Sequence, residues 1–242
     1  MIRIQARIKV KQLSNKAILF DLDGTLIDVN LKKFIPSYLK LLAESISHLI
    51  PPNKVITKIL KVSEEINNNN GKVTNQEIFF EKFFPIDGFD KDKIQPLFDD
   101  FYKTKFSELR QYTRKKPEAR FLMKAAFAKG YKVVIATTPV LPLSAIQQRL
   151  DWAEVGDFEY DLITTIENSR ANKPNPVYYK QIVDYLGISP EDCLMVGDED
   201  KDMVAKTIGC QTFLVYSVNT DVNLKTPKPN YTGTLKDLIK IL

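Results

Sequence analysis

The sequence predicts an α/β fold, a doubly wound parallel sheet with an inserted helical cap domain, and three observations lead to this prediction. After Pro117, strand-like and helix-like segments alternate, which is typical of a parallel sheet with helices on both faces. Residues 17–20 are all apolar, as expected for a central strand covered on both sides. Between Thr25 and Thr137 lie 111 residues, whereas a strand–helix–strand unit needs roughly thirty. The excess predicts an insert.

The elements follow in order along the chain. Residues 2–10 alternate apolar with basic or polar side chains, which predicts a half-buried strand in an N-terminal arm, residues 1–16. Apolar residues at helical spacing predict four cap helices, at 31–50, 54–67, 75–84 and 91–107. The strands predicted after the cap are 132–136, 161–164, 193–196 and 212–216, and the helices are 118–129, 142–151, 176–186, 202–208 and 234–241. The predicted domains are a Rossmann-like core, residues 17–28 and 112–242, and a helical cap, residues 29–111.

The charge distribution argues against a protein that binds nucleic acid. The net charge is +5, and residues 1–16 supply all of the excess, through Arg3, Arg7, Lys9, Lys11 and Lys16. The rest of the chain is balanced and has no basic stripe interleaved with aromatic residues. The sequence also has no apolar run of membrane-spanning length and no secretory signal pattern, and its two cysteines are predicted to be buried thiols. We therefore expect a cytoplasmic protein with neither a nucleic-acid nor a membrane partner.

Four polar clusters fall at or just after predicted strand ends. They are Asp-Leu-Asp-Gly-Thr at 21–25, Thr-Thr at 137–138, Asn-Lys-Pro at 172–174 and Gly-Asp-Glu-Asp-Lys-Asp at 197–202. In open parallel sheets, ligands bind beyond the carboxyl ends of the strands. Carboxylate oxygens suit Mg²⁺, and hydroxyl and ammonium groups suit a phosphoryl group. The clusters therefore predict a site for metal-assisted phosphoryl transfer.

In their order along the chain, these clusters resemble the four motifs of the haloacid-dehalogenase-like superfamily, hydrolases that use an aspartate nucleophile. Residues 20–26, Phe-Asp-Leu-Asp-Gly-Thr-Leu, are similar to the first motif, and Thr137 at the end of a strand is similar to the second. Lys173, followed by proline, resembles the third motif. Asp198 after glycine, with Asp202 beyond it, resembles the fourth.

The resemblance implies catalytic and phosphate-binding roles for the matching residues. Asp21 would attack phosphorus and form an aspartyl-phosphate. Asp23 would protonate the departing alkoxide and then take a proton from the hydrolytic water. Thr137, Thr138 and Lys173 would bind the phosphoryl oxygens, where charge resides in the transition state.

The resemblance also implies Mg²⁺ as the cofactor. The ion would be held by the Asp21 carboxylate, the Asp23 carbonyl and Asp198, which offsets the repulsion between nucleophile and phosphate. A second acid would support the metal. Asp202 is preferred to Asp200 for this role because it begins a predicted helix, although the sequence leaves the choice open.

The function implied is that of a magnesium-dependent phosphatase acting on a small phosphate monoester, so the expected partner is a small phosphorylated metabolite. A phosphomutase would use the same four motifs, and a non-catalytic protein that binds a phosphate ligand is the alternative from a different class. A dehalogenase is disfavoured because such relatives lack the second aspartate, here Asp23. The substrate and the oligomeric state, either a monomer or a dimer formed through the N-terminal arm, stay open.

Overall fold

The computed structural model describes residues 16–216 and 227–242. The strands in these ranges are β1 (Ala17–Phe20), β2 (Ile27–Val29), β3 (Thr113–Lys115), β4 (Lys132–Ile135), β5 (Leu162–Ile163), β6 (Cys193–Gly197), β7 (Gln211–Val215) and β8 (Tyr231–Gly233). The α-helices are α1 (Leu31–Ser45), α2 (Pro52–Asn67), α3 (Asn75–Phe83), α4 (Lys91–Thr104), α5 (Pro117–Ala128), α6 (Leu143–Trp152), α7 (Pro176–Leu186), α8 (Asp200–Met203) and α9 (Leu235–Ile241). Shorter 3₁₀ helices cover Phe106–Tyr112, Pro190–Asp192 and Val204–Ile208.

Six strands form one parallel sheet in the order β5-β4-β1-β6-β7-β8. The apolar strand β1 lies inside the sheet, between β4 and β6, and all four of its residues are buried. At its carboxyl end, Phe20 pairs with Ile135 of β4 and Val196 of β6. The residues that follow these three strands therefore meet at one edge of the sheet.

Helices cover both faces of this sheet. Successive side chains of a strand point to opposite faces, so β1 contributes side chains to a hydrophobic cluster on each side. Ile18 and Phe20 of β1 belong to the larger hydrophobic cluster, which includes residues of α5, α6, α9 and the inserted helices. Ala17 and Leu19 belong to the smaller cluster, which includes the inner face of α7. The predicted fold class, a doubly wound parallel sheet with a helical insert, is confirmed.

The insert consists of α1–α4, and a short antiparallel ribbon of β2 and β3 joins it to the core. Asp28 on this ribbon accepts a hydrogen bond from Arg114 Nη2 at 3.0 Å and lies 3.3 Å from the ammonium of Lys116. Inside the insert, aromatic rings pack on one another among aliphatic side chains, as Phe79 does on Phe83 with ring centroids 4.9 Å apart. The Phe106 ring also stacks on Trp152 of the core helix α6, with ring centroids 5.6 Å apart. The boundaries drawn from the sequence, 29–111 for the cap and 17–28 with 112–242 for the core, remain a prediction.

Several elements differ from the sequence prediction. The first cap helix ends at Ser45 rather than at residue 50, and the last ends at Thr104 and is followed by a 3₁₀ helix. The helix predicted at 202–208 is a single α-helical turn that begins at Asp200, continued by a 3₁₀ turn. The three-residue strands β2, β3 and β8 were not predicted, since a segment this short does not show the alternation of apolar and polar residues that indicates a strand. The strand predicted at 2–10 lies outside the described residues. No helix in the described ranges is both long and apolar enough to cross a membrane.

Candidate active site

The turn after β1 is shaped by close contact between its backbone and a carboxylate. Asp21, which directly follows this strand, is 4% exposed. Gly24 adopts a positive φ of 79°, and a β-carbon at this position would overlap the carboxylate of Asp198. The adjacent Thr25 hydroxyl donates a hydrogen bond to Asp198 Oδ1 at 3.2 Å. The glycine is therefore needed both for its backbone conformation and to admit a buried acid from the neighbouring strand.

The turn after β6 brings further acids to the same place. Among the described residues, the acidic group able to hold a metal comprises Asp21, Asp198 and Asp202, each buried, with candidate ligand oxygens within 4.8 Å of one another. Asp200 is not part of this group. A β-carbon on Gly197 would overlap the Asp202 side chain, which explains a glycine at the end of this strand. Three converging carboxylates provide the hard oxygen donors that Mg²⁺ prefers, so the residues present fit this ion.

Lys173 neutralises part of this acidic group. Its ammonium lies 2.7 Å from Asp21 Oδ1 and 2.6 Å from Asp202 Oδ1, and its side chain is fully buried. Burial alone would lower the pKa of Lys173, but the two carboxylates outweigh it and the pKa lies well above its ordinary value. Burial also raises the pKa of Asp202 to about 7, against the opposing charge of Lys173. The lysine is thus a permanent cation that holds one carboxylate oxygen of Asp21 in place.

The threonines after β4 lie beside the acids. Thr137 is 2% exposed, and its carbonyl accepts hydrogen bonds from the Tyr178 hydroxyl at 2.8 Å and from the Thr164 hydroxyl at 2.9 Å. Thr137 and Thr138 line the same cavity as Asp21 and Asp23. All seven site residues predicted from the sequence are therefore brought to one edge of the sheet: Asp21, Asp23, Thr137, Thr138, Lys173, Asp198 and Asp202.

Arg149 is a site residue to which sequence reasoning assigned no role. It lies on the buried face of α6, is 3% exposed and forms an ion pair with Asp23. Burial lowers the pKa of Arg149 to about 10, so the side chain is still a cation at neutral pH. Its guanidinium carbon lies 5.5 Å from the centroid of the Phe34 ring in the insert. An arginine three residues after Ile146, on the apolar face of an amphipathic helix, was the signal that could have identified it.

The inserted helices close over these residues and leave a cavity of about 440 Å³. Buried asparagines join the insert to the loops of the core. Asn172, next to Lys173, donates a hydrogen bond to Asn67 at 2.6 Å, and Asn75 donates to the Pro139 carbonyl at 3.0 Å. The cavity therefore lies between helices α1–α4 and the carboxyl edge of the sheet.

A parallel sheet with this acid-rich edge and a helical insert between β1 and β4 defines a class of hydrolases. The family model of the haloacid dehalogenase-like hydrolases matches residues 15–205, and the chain belongs to this family.

Individual relatives fall within the same class. The chain is 29% identical to a phosphoglycolate phosphatase from Aquifex aeolicus over 231 residues, which cover 94% of this chain and 96% of the relative. It is 26% identical to the pyrophosphatase PpaX of Bacillus cereus strain AH820 over 230 residues, 93% of this chain and 95% of the relative. The crystal structure of a HAD phosphatase from Thermococcus onnurineus superposes with a TM-score of 0.56 at 23% identity, covering 93% of this chain and 97% of that one. This last likeness supports the fold alone.

Proposed function

We propose that the chain is a magnesium-dependent phosphatase that hydrolyses a phosphate monoester through an aspartyl-phosphate on Asp21. The observation that carries this proposal is the contact between the Lys173 ammonium and Asp21 Oδ1, 2.7 Å apart beside the buried acidic group. A cation that holds one oxygen of a carboxylate orients the other towards a bound phosphoryl group. The names of the relatives, a phosphoglycolate phosphatase and a pyrophosphatase, support phosphate chemistry.

The metal would be held by Asp21, Asp198 and the Asp23 carbonyl, with Asp202 in support. When bound, Mg²⁺ supplies positive charge that offsets the repulsion between an anionic nucleophile and an anionic phosphate. Asp202 contacts Lys173 through Oδ1 and accepts a hydrogen bond from the Glu199 backbone N–H at 3.2 Å through Oδ2. We therefore assign Asp202 to positioning both the lysine and the loop that presents Asp198.

The proposed reaction has two displacements at phosphorus. Asp21 Oδ2 forms a bond to phosphorus while the bond from phosphorus to the ester oxygen breaks, and Asp23 gives that oxygen its proton. Water then forms a bond to the phosphorus of the aspartyl-phosphate while Asp23 takes a proton from that water. The bond from phosphorus to Asp21 Oδ2 breaks, so inorganic phosphate leaves and Asp21 is again a free carboxylate. Thr137, Thr138 and Lys173 bind the phosphoryl oxygens in both steps.

The Arg149 guanidinium contacts the Asp23 carboxylate at the wall of the cavity. We assign it to positioning Asp23 for both proton transfers. The free and buried thiols of Cys193 and Cys210 support the cytoplasmic location predicted from the sequence.

The test is release of inorganic phosphate from p-nitrophenyl phosphate in the presence of Mg²⁺, combined with acid quenching and intact-protein mass measurement. We expect the wild type to release phosphate and nitrophenol in equal amounts, and the quenched protein to gain the mass of one phosphoryl group. Asp21→Asn should lose both signals, with turnover reduced at least about a thousandfold, because an amide is not a nucleophile. Asp157→Asn is the control, since Asp157 is exposed and pairs with Arg120.

The same assay separates the alternatives. A phosphomutase would return the phosphoryl group to its substrate and would accumulate little inorganic phosphate. A non-catalytic binding protein would release none. Wild-type turnover in Asp21→Asn would refute the proposed nucleophile.

A further inference from the structure

The cavity above Asp21 is much larger than a phosphoryl group. Its volume of about 440 Å³ corresponds to roughly fifteen water molecules in the liquid and lies within the usual range for small-molecule sites. Asp21, Asp23, Thr137 and Thr138 line only its core end. The space beyond them is available to the part of the substrate that leaves with the ester oxygen.

The wall of this space is formed by one face of each inserted helix. Apolar side chains from all four helices line it, among them Leu39 of α1, Ile59 of α2, Phe79 of α3 and Phe98 of α4. The polar residues that α1–α4 add are two tyrosines, two glutamines, a serine and an asparagine. Among the described lining residues, those from the insert include no Asp, Glu, Lys, Arg or His.

The hydroxyls of this wall are also uncharged. Tyr38 and Tyr102 lie on the cavity with their oxygens 2.8 Å apart, sharing one hydrogen bond. Burial raises the pKa of Tyr38 to about 12, and burial also raises the pKa of Tyr102 well above its ordinary value. Neither tyrosine offers a negative or a positive charge to a ligand at neutral pH.

The cations that line the cavity come from the core, and each is already paired. Arg149 contacts Asp23, and the Lys201 ammonium lies 2.5 Å from Glu199. A leaving group with its own carboxylate or second phosphate would therefore lie against an apolar wall without a counter-ion. Burying an unpaired charge is strongly unfavourable, whereas burying hydrocarbon is favourable.

We propose that the substrate is a phosphate monoester of a bulky apolar alcohol, alkyl or aromatic, whose hydrocarbon part fills the cavity beneath α1–α4. This inference rests on the phosphatase function proposed above and narrows its substrate class. Ile35 and Leu60 also line the cavity and are 48% and 51% exposed, so they form an apolar rim through which a hydrocarbon chain can enter. The wall does not suit pyrophosphate or phosphoglycolate, which carry charge on both ends.

The first test compares kcat/KM for phosphate release across ethyl, butyl, hexyl and octyl phosphate, with 1-naphthyl phosphate, pyrophosphate and 2-phosphoglycolate alongside. Each methylene buried should raise kcat/KM by about fourfold, so octyl phosphate should exceed ethyl phosphate at least about a hundredfold. A flat series, or a preference for pyrophosphate or 2-phosphoglycolate, would overturn the inference while leaving the proposed phosphatase intact.

The second test measures binding without turnover. Calorimetry of the wild type with ethylphosphonate and octylphosphonate, whose carbon–phosphorus bonds resist hydrolysis, should show at least about hundredfold tighter binding of the longer chain. If octylphosphonate binds in this way but no ester releases phosphate, the cavity assignment holds and the proposed catalysis fails. If neither chain length binds and no ester is hydrolysed, both proposals are wrong.

A pair of variants tests whether the rim belongs to the binding surface. Leu60→Lys places a charge on the rim and should lower the octyl-to-ethyl ratio of kcat/KM by about three- to tenfold, as expected for a half-buried leucine. Val73→Lys is the matched control, because Val73 lies in the insert and is 41% exposed but does not line the cavity. An unchanged ratio in Leu60→Lys, or an equal fall in both variants, would contradict the assignment.

Discussion

Lys173→Met is the substitution that most directly tests the electrostatics of the site. The methionine keeps most of the side-chain volume and removes the ammonium that lies between Asp21 and Asp202. The side chains of the lysine and of both acids are at most 5% exposed, so solvent screens their attraction very little. Without Mg²⁺, the variant leaves buried carboxylates with no cation between them.

The expected loss of stability follows from this burial. Removing one partner of a buried ion pair costs about 3–5 kcal/mol, which for a chain of this length is roughly 6–20 °C in Tm. The loss should depend on pH. The pKa of Asp202, about 7 in the folded wild type because of burial, exceeds the value of about 3.9 for an unfolded aspartate. The folded state therefore binds more protons between these values, and stability falls as pH rises through that window. Without Lys173 the pKa of Asp202 rises further, so the window extends above pH 7.

The assay is equilibrium unfolding in urea, followed by circular dichroism, in excess chelator at pH 6 and pH 9. We expect the stability difference between wild type and Lys173→Met to be larger at pH 9. Lys180→Met is the matched control, because Lys180 pairs with Asp184 on the exposed face of α7 and should contribute less than about 1 kcal/mol. A Lys173→Met protein within 1 kcal/mol of the wild type at pH 9, on the scale of such surface pairs, would refute the reasoning.

Three further predictions concern the turn, the metal and the guanidinium. Gly24→Ala and Gly130→Ala both put a side chain at positive φ, but only the side chain at position 24 overlaps a carboxylate. In equilibrium unfolding, Gly24→Ala should be less stable than Gly130→Ala by about 2 kcal/mol or more. Equal losses of stability in the two variants would contradict the overlap with Asp198. Mg²⁺ affinity, measured by calorimetry, should rise about tenfold from pH 6 to pH 8, because protonation of Asp202, whose pKa is about 7, removes a negative charge from the acidic group that would hold the ion. A constant affinity would show that Asp202 does not support the metal. Arg149→Lys should lower kcat at least about tenfold with a smaller change in KM, since a lysine does not reproduce the guanidinium contact with the proposed acid–base catalyst. Arg120→Lys, at an exposed pair, is the control, and a similar loss there would show that Arg149 has no special role.

Much of the fold and the site could be predicted from local pattern. The apolar run 17–20 and the helix–strand alternation after Pro117 indicate a parallel sheet, and parallel strands place their carboxyl ends at one edge. Residues that follow such strands, such as Asp21, Thr137 and Asp198, are then neighbours whatever their separation in the chain. The short strands β2, β3 and β8 could not be predicted in the same way, because their pairing depends on partners far along the chain.

The positions of acids, hydroxyls and a lysine at the strand ends follow from the sequence alone, since these residues come after apolar segments that local pattern identifies. The contacts between these side chains, in contrast, depend on tertiary packing. It placed Asp202 rather than Asp200 in the acidic group, and it brought Arg149 to Asp23 across 126 residues. It also turned the uncharged faces of four helices towards one cavity. Each of these contacts depends on how a helix is rotated about its own axis against a neighbour that is distant in the chain. Long-range packing sets that rotation, so the local sequence does not encode these contacts.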